Sequence, residues 1–398
     1  MATITSTTTG GAFSSGASWV GGIAPGSTDS VIVAAPSGTI TMDAHFTTTG
    51  TVTLTSGAFS TSASNYNLTC SSFSSSNSNT RTLTLGSSTI TLTGAGATVW
   101  DTSTATNLTL NAGTSTITAS GAGPTLLFGS GLTFGSLTLS GSGTAQIVSG
   151  GSATFANITR AGTAAKTDAF SVGSGSWTVT GTFTVTGNSA TNRVLVQSTT
   201  TGTARTITAA AVSLSNADFQ DITGAGAASW TGTSLGDCGG NAGITFSPAT
   251  TRYAVAAGNW SSTAVWSATS GGSAGASVPL PQDNVVLNAS SGVGTITIDM
   301  PRACKDLTCT GYTGTLNQNG NVTIFGSFAG PSSATGTTGG AATYFAGRGS
   351  HTITANGWTF PGAFTVAFLG VGGTYTLASA CTFANANIQL NCGSLVTS

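Results

Sequence analysis

Threonine alternates with an apolar residue again and again along this 398-residue chain. The clearest runs are Thr51-Val52-Thr53-Leu54-Thr55, Arg81-Thr82-Leu83-Thr84-Leu85 and Thr89-Ile90-Thr91-Leu92-Thr93. The pattern returns at Asn107-Leu108-Thr109-Leu110, Ser136-Leu137-Thr138-Leu139, Trp177-Thr178-Val179-Thr180 and Phe183-Thr184-Val185. A period of two puts the apolar side chains on one face of a strand and the hydroxyls on the other. Turns rich in Gly, Ser and Asn separate the runs every ~8–12 residues. Helix has little to draw on: all ten acids are Asp, and Lys166 and Lys305 are the only lysines. The straight-chain helix formers are thus scarce while Thr, Ser, Val and Gly abound. An all-β fold is expected.

Disorder requires low hydrophobicity and high net charge. Here 39% of residues are hydrophobic and the formal net charge is −1. Only 5% of residues are charged, against roughly 25% in ordinary soluble domains. The nine Lys and Arg are scattered, so no basic stripe exists for a nucleic-acid backbone. Near neutrality also removes charge repulsion as a guard against self-association, and a homo-oligomeric partner is expected. No apolar run approaches the roughly 18 residues of a membrane helix, so membrane insertion is not expected. The start, Met1-Ala-Thr-Ile-Thr-Ser, lacks the basic and apolar regions of a secretion signal, which points to synthesis in a cytoplasm.

A looser repeat reads aromatic, two residues, Leu or Ile, Thr. It occurs at Phe134-Gly-Ser-Leu137-Thr138, Phe155-Ala-Asn-Ile158-Thr159 and Phe219-Gln-Asp-Ile222-Thr223. The first two lie 21 residues apart. That is the length of one coil of a parallel β-solenoid (a β-helix), in which coils stack ~4.8 Å apart and like residues form ladders. Tandem β-sandwiches share the strand spacing and are the alternative, but they need no such echo.

A longer duplication sets the domain plan. Residues 259–300 restate residues 13–43: Ser-Ser, a Trp, a Gly-rich loop, Pro, Asp, an apolar strand, then Gly-Thr-Ile-Thr. Trp19 answers Trp266, Pro25 answers Pro281 and Asp29 answers Asp283. Two units follow, 1–248 and 249–398, each a solenoid opened by this cassette. Residues 1–12 read as a polar lead-in. An open solenoid end exposes unpaired backbone, and the cassette, with a bulky Trp and a Pro that cannot extend a ladder, suits a lid over it. The bland reading makes the tryptophans ordinary core aromatics. Asp29 and Asp283 are expected to bond backbone within the cassette.

Sites for chemistry are few. A glycan-cleaving β-helix needs two carboxylates ~5–9.5 Å apart, and Asp218, Asp221 and Asp237 form the one acidic cluster. Asp beside Gly is ordinarily a turn cap. Lys166 and Asp168 flank a loop and read as solvated. Cys70, Cys238, Cys304, Cys309, Cys381 and Cys392 are too sparse for a disulfide scaffold and lack zinc spacing; they read as free thiols packed like small apolar residues. His45 and His351 have no partner pattern. No catalytic residue, metal or cofactor is expected.

Several stretches carry a resemblance. They are residues 67–81 (NLTCSSFSSSNSNTR), 106–117 (TNLTLNAGTSTI), 192–197, 205–210, 230–246 (WTGTSLGDCGGNAGITF) and 279–286 (PLPQDNVV). In these the chain resembles phage-encoded and metagenomic Thr/Ser/Gly-rich β-repeat proteins described as tail-fibre or virion structural proteins. The resemblance covers most of residues 13–310. It implies a non-enzymatic structural protein of a phage particle, a tail or head fibre presenting a stiff host-facing rod. Its partners would be itself, other virion proteins and a host surface glycan, and its place the virion. It brings no catalytic residues. Two further readings stay open: a tailspike-like glycan depolymerase, and a self-assembling extracellular filament or surface adhesin.

Overall fold

A computed structural model describes residues 1–143, 147–165, 168–331, 335–338, 340–360, 365–383 and 386–397. The chain is all-β, 2% helical, and forms a parallel β-solenoid of about 16 turns. Strands pair parallel from coil to coil, as at Leu137 opposite Ile158 and Leu316 opposite Ile296, which rules out a row of antiparallel sandwiches. Contacts divide the chain into two compact units. The first holds 1–217, 221–232 and 242–245; the second holds 218–220, 233–241 and 246–398.

In the first unit the chain winds along successive ladders. One inward column passes from Val31 through Val52, Phe73, Trp100, Leu126 and Val148 to Val172. Another runs Leu68, Ile90, Ile117, Leu137, Ile158, Phe183, Val212. Between these inward residues the side chains face outward, and here threonine stacks on threonine. Thr47, Thr69, Thr91, Thr118, Thr138, Thr159, Thr184 and Ser213 stand in register on eight successive strands. The alternation of the sequence has become a division between core and surface. Aromatic rings stack along the core: Phe73 on Trp100 at 4.8 Å, Phe134 on Phe155 at 5.3 Å and Phe155 on Trp177 at 5.7 Å between centroids. The 21-residue echo is real at Phe134 and Phe155, which are ladder partners. The third copy departs from it, since Ile222 stands opposite Arg205.

Two arginines lie inside this unit, each fully buried. Arg160 occupies an inward position between Leu139 and Val185. Its guanidinium sits 3.5 Å from the Asp168 carboxylate and donates to the carbonyls of Ala169, Leu139 and Ala161. Asp168 is therefore not solvated as the sequence suggested; it is 1% exposed and also accepts from Gly143 N at 2.9 Å and Thr163 Oγ1 at 2.7 Å. A buried carboxylate needs such partners, and here Arg160 and Thr163 come from the preceding strand and the turn that follows it. Lys166 lies outside the described residues. Arg81 is held by carbonyls, its Nε to Asn79 O at 2.8 Å and its Nη2 to Thr106 O at 2.6 Å and Thr104 O at 3.2 Å. Burial pulls its pKa down.

In the second unit three strands make each coil. Asn284–Val286, Leu307–Thr308, Phe328–Ala329, Ser350–Thr354, Thr374–Leu377 and Ser394–Thr397 follow one another on one ladder. Arg302–Cys304, Val322–Ile324, Thr343–Phe345, Thr365–Phe368 and Asn387–Leu390 form another. Thr295–Ile298 and Thr315–Gln318 lie on a third. Phe364 lies outside the described residues, while Thr365 and Val366 are in a strand. The spacing of ladder partners on neighbouring coils varies, from 17 residues at Arg205 and Ile222 through 21 at Phe134 and Phe155 to 30 at Trp177 and Ile207.

Candidate functional site

The cassettes fold alike, and each begins earlier than the duplicated sequence does. Residues 1–12 are not a loose lead-in. Thr3–Thr5 pairs parallel with Ser30–Ile32, and Gly10–Ala12 with Thr39–Thr41. In the second unit Thr251–Tyr253 pairs with Asn284–Val286, and Gly258–Asn259 with Ile296–Thr297. Alternating Thr, Ile and Gly in so short a stretch gave too weak a period to declare strands.

Each chain then doubles back along the outer edge of its first strand. In the first unit Trp19 bridges Ser6 antiparallel, Thr7 N donates to Ser18 O at 2.8 Å and Val20 N to Thr5 O at 2.9 Å. In the second, Ala254 faces Trp266 antiparallel and Val255 N donates to Val265 O at 2.8 Å. These bonds engage an edge that would otherwise be bare. A 3-10 turn makes the reversal each time, Gly16–Ser18 and Thr263–Val265. Gly11 and Gly258 prepare it with φ of 137° and 147°, values that L side chains rarely adopt. A Cβ on Gly11 would fall 2.5 Å from Ser18 Oγ.

The tryptophans are pinned identically. Trp19 Nε1 donates to Phe13 O at 2.8 Å, and Trp266 Nε1 to Trp260 O at 2.7 Å. Each indole meets the ring of that same residue edge-on, at 5.1 Å and 77° and at 4.9 Å and 67°. Both tryptophans are at most 2% exposed, so the indole supplies apolar bulk while its N–H is satisfied. Phe13 and Trp260 escaped notice in the sequence because they differ in type and act through their carbonyls.

Carboxylates bind the first coil to the next. Asp29 accepts from Ala2 N at 2.9 Å and Gly26 N at 3.0 Å. Asp283 accepts from Thr250 N at 2.7 Å, Thr250 Oγ1 at 2.8 Å and Leu280 N at 2.8 Å. Asp43 and Asp299 repeat the device on Ser14 and Ser261: N–H bonds of 3.0 and 3.1 Å, hydroxyl bonds of 2.5 Å each. The backbone N–H of Ala2, then that of Gly26, hold Asp29 below the usual carboxylate range, and the Ser14 hydroxyl does the same for Asp43. Pro25 is half-buried and Pro281 buried. Beside Pro281, Gln282 joins the opening of the second unit, donating to Leu235 O at 3.0 Å and Ser247 O at 2.9 Å and accepting from Asp237 N at 3.0 Å.

The acidic cluster is spent on turns. Asp221, with φ of 57°, accepts from Gly202 N at 2.8 Å in the first unit. Asp237 accepts from Gly239 N and Asn241 Nδ2, both at 2.8 Å, in the second. Asp218 packs its carboxylate against Gly236 in the second unit. The cysteines are free. Cys70, Cys238, Cys304 and Cys309 are buried, whereas Cys392 is exposed and Cys381 half-buried, so core packing describes four of the six. Burial pushes the Cys70 and Cys309 thiols up to about 12. Among the described residues no helix is long and apolar enough to cross a membrane. No protein family, curated protein or solved structure matches the chain.

Proposed function

We propose that this chain is a non-enzymatic structural protein of a phage particle, a component of a tail or head fibre that associates with itself and with other virion proteins. Made in the host cytoplasm, it would act on the particle outside the cell, where a host surface glycan is its counterpart. The observation that supports this reading most is the in-register parallel stack itself: backbone amides engaged from coil to coil, an apolar core, and an outside of uncharged hydroxyls in a chain with 5% charged residues. Such a stack is stiff because bending it would break many ladder bonds together. The resemblance of residues 13–310 to phage β-repeat proteins supplies the particle. The cassettes fit as plugs that keep the first edge of each stack from pairing at random.

Mass spectrometry of purified particles from a host carrying this sequence, with antibody labelling in electron micrographs, tests the reading. Recovery of its peptides and label on a fibre are expected. Particles free of the chain, or release of oligosaccharide when purified protein is mixed with host polysaccharide, would overturn it.

A further inference from the structure

The outward threonine column of the first unit runs unbroken from Thr69 to Thr184. Beside it, two residues earlier on each strand, stand Thr89, Thr116, Ser136 and Asn157, also in register. The inward neighbours of these positions are buried, so the hydroxyls and methyls share one face. The pairings of the three central strands show no register shift. Among the described residues, no hydroxyl from Thr69 to Thr184 in this column exchanges a hydrogen bond with another protein group. The face is a lattice of hydroxyl and methyl groups repeating about every 4.8 Å along the stack and ~6.6 Å along each strand.

Its chemistry excludes the usual partners. It has no cation for a phosphate backbone. It lacks the exposed aromatic on which a sugar ring or a base would stack, and the Trp, Tyr and Arg anchors that carry protein interfaces. A second copy laid on it would be short of area. Six rows and two columns cover at most about 400 Å² by strand geometry, against ~800 Å² per partner in a stable complex. What matches it is a surface equally uncharged, equally rich in hydroxyls and equally periodic in two dimensions. We propose that this face binds ice. Water held between neighbouring threonine methyls and bonded to their hydroxyls would be ordered at the pitch of the ladder, and a growing crystal supplies water already in an array. Methyl burial adds the non-directional part, and rigidity spares the cost of ordering the face on contact.

The purified full chain decides it. Partition into a slowly grown ice hemisphere, together with faceting of single crystals under a microscope, is expected of the unaltered protein. Thr118→Tyr with Thr138→Tyr, placed on outward positions, should abolish both while far-UV circular dichroism and the melting temperature stay as before. Thr109→Tyr, on a neighbouring ladder, should leave both intact. Exclusion of the unaltered protein from ice overturns the proposal whether or not the variants fold. So does undiminished partition of a folded double variant, and so does retention on crystalline cellulose with none on ice, which would assign the face to a polysaccharide crystal. None of these outcomes depends on whether the chain is found on a phage particle.

Discussion

Asp283 does the work of three bonds from a position 1% exposed. Asp283→Ala would strand the Thr250 and Leu280 N–H groups and is expected to destabilise the second unit by about 3 kcal/mol, measured by urea unfolding; a change within about 0.5 kcal/mol would contradict the assigned role. Asp29 and Asp43 make the comparable bonds nearer to solvent and bring a pH dependence. Their folded pKa values are lowered by hydrogen bonds, below the unfolded value of about 3.9. Their contribution is therefore complete above that value and drains away as pH falls through the lower folded values. Hydrogen exchange should show Ala2, Ser14 and Gly26 amides protected at about pH 5 and released below about pH 3, ahead of the coils behind them; protection that ignores pH would refute this. Arg160 and Asp168 show the other limit. Asp168→Ala should cost about 3–5 kcal/mol, since it leaves a buried guanidinium without its charge partner, while Arg160→Met with Asp168→Leu should recover much of that loss in the same unfolding measurement.

At the scale of elements, ladder position decides what a side chain is worth. Trp100 is fully buried and sits between Phe73 and Leu126 in its column, so Trp100→Ala is expected to cost about 3–5 kcal/mol. Thr118→Ala, outward on the same stack, should stay within about 0.5 kcal/mol. Equal losses would mean that the inward and outward faces are misassigned. These faces were plain in the sequence because a period of two survives any change of loop length. Coil length itself was legible only where neighbouring coils match, at Phe134 and Phe155. Ladder partners elsewhere lie from 17 residues apart, at Arg205 and Ile222, to 30, at Trp177 and Ile207, which erases a fixed repeat and made Phe219-Gln-Asp-Ile222 look like a third copy. The cassettes were visible through Trp19, Trp266, Asp29 and Asp283 because identical residues recur at similar spacing. Their first strands and the carbonyls of Phe13 and Trp260 were hidden, since backbone groups carry no sequence signature, and the ion pair of Arg160 was hidden because nothing in the sequence shows that the following strand, Asp168–Val172, turns its first carboxylate inward.

For the molecule as a whole, the solenoid should govern how proteases and probes meet the chain. Arg81 and Arg160 are both fully buried, so trypsin acting on folded protein should yield no fragments ending at either residue by mass spectrometry; early cuts there would show the coils to be loosely closed. Fibre role and ice face alike require the same thing, coils stacked in register over many turns. Electron-electron resonance between spin labels at Thr69→Cys and Thr184→Cys measures it directly, with Cys381 and Cys392 changed to Ser and the buried thiols left in place. The two sites are five ladder steps apart, so a single narrow distance corresponding to a backbone separation of about 24 Å is expected. A broad distribution, or a mean far beyond that span, would contradict the stack.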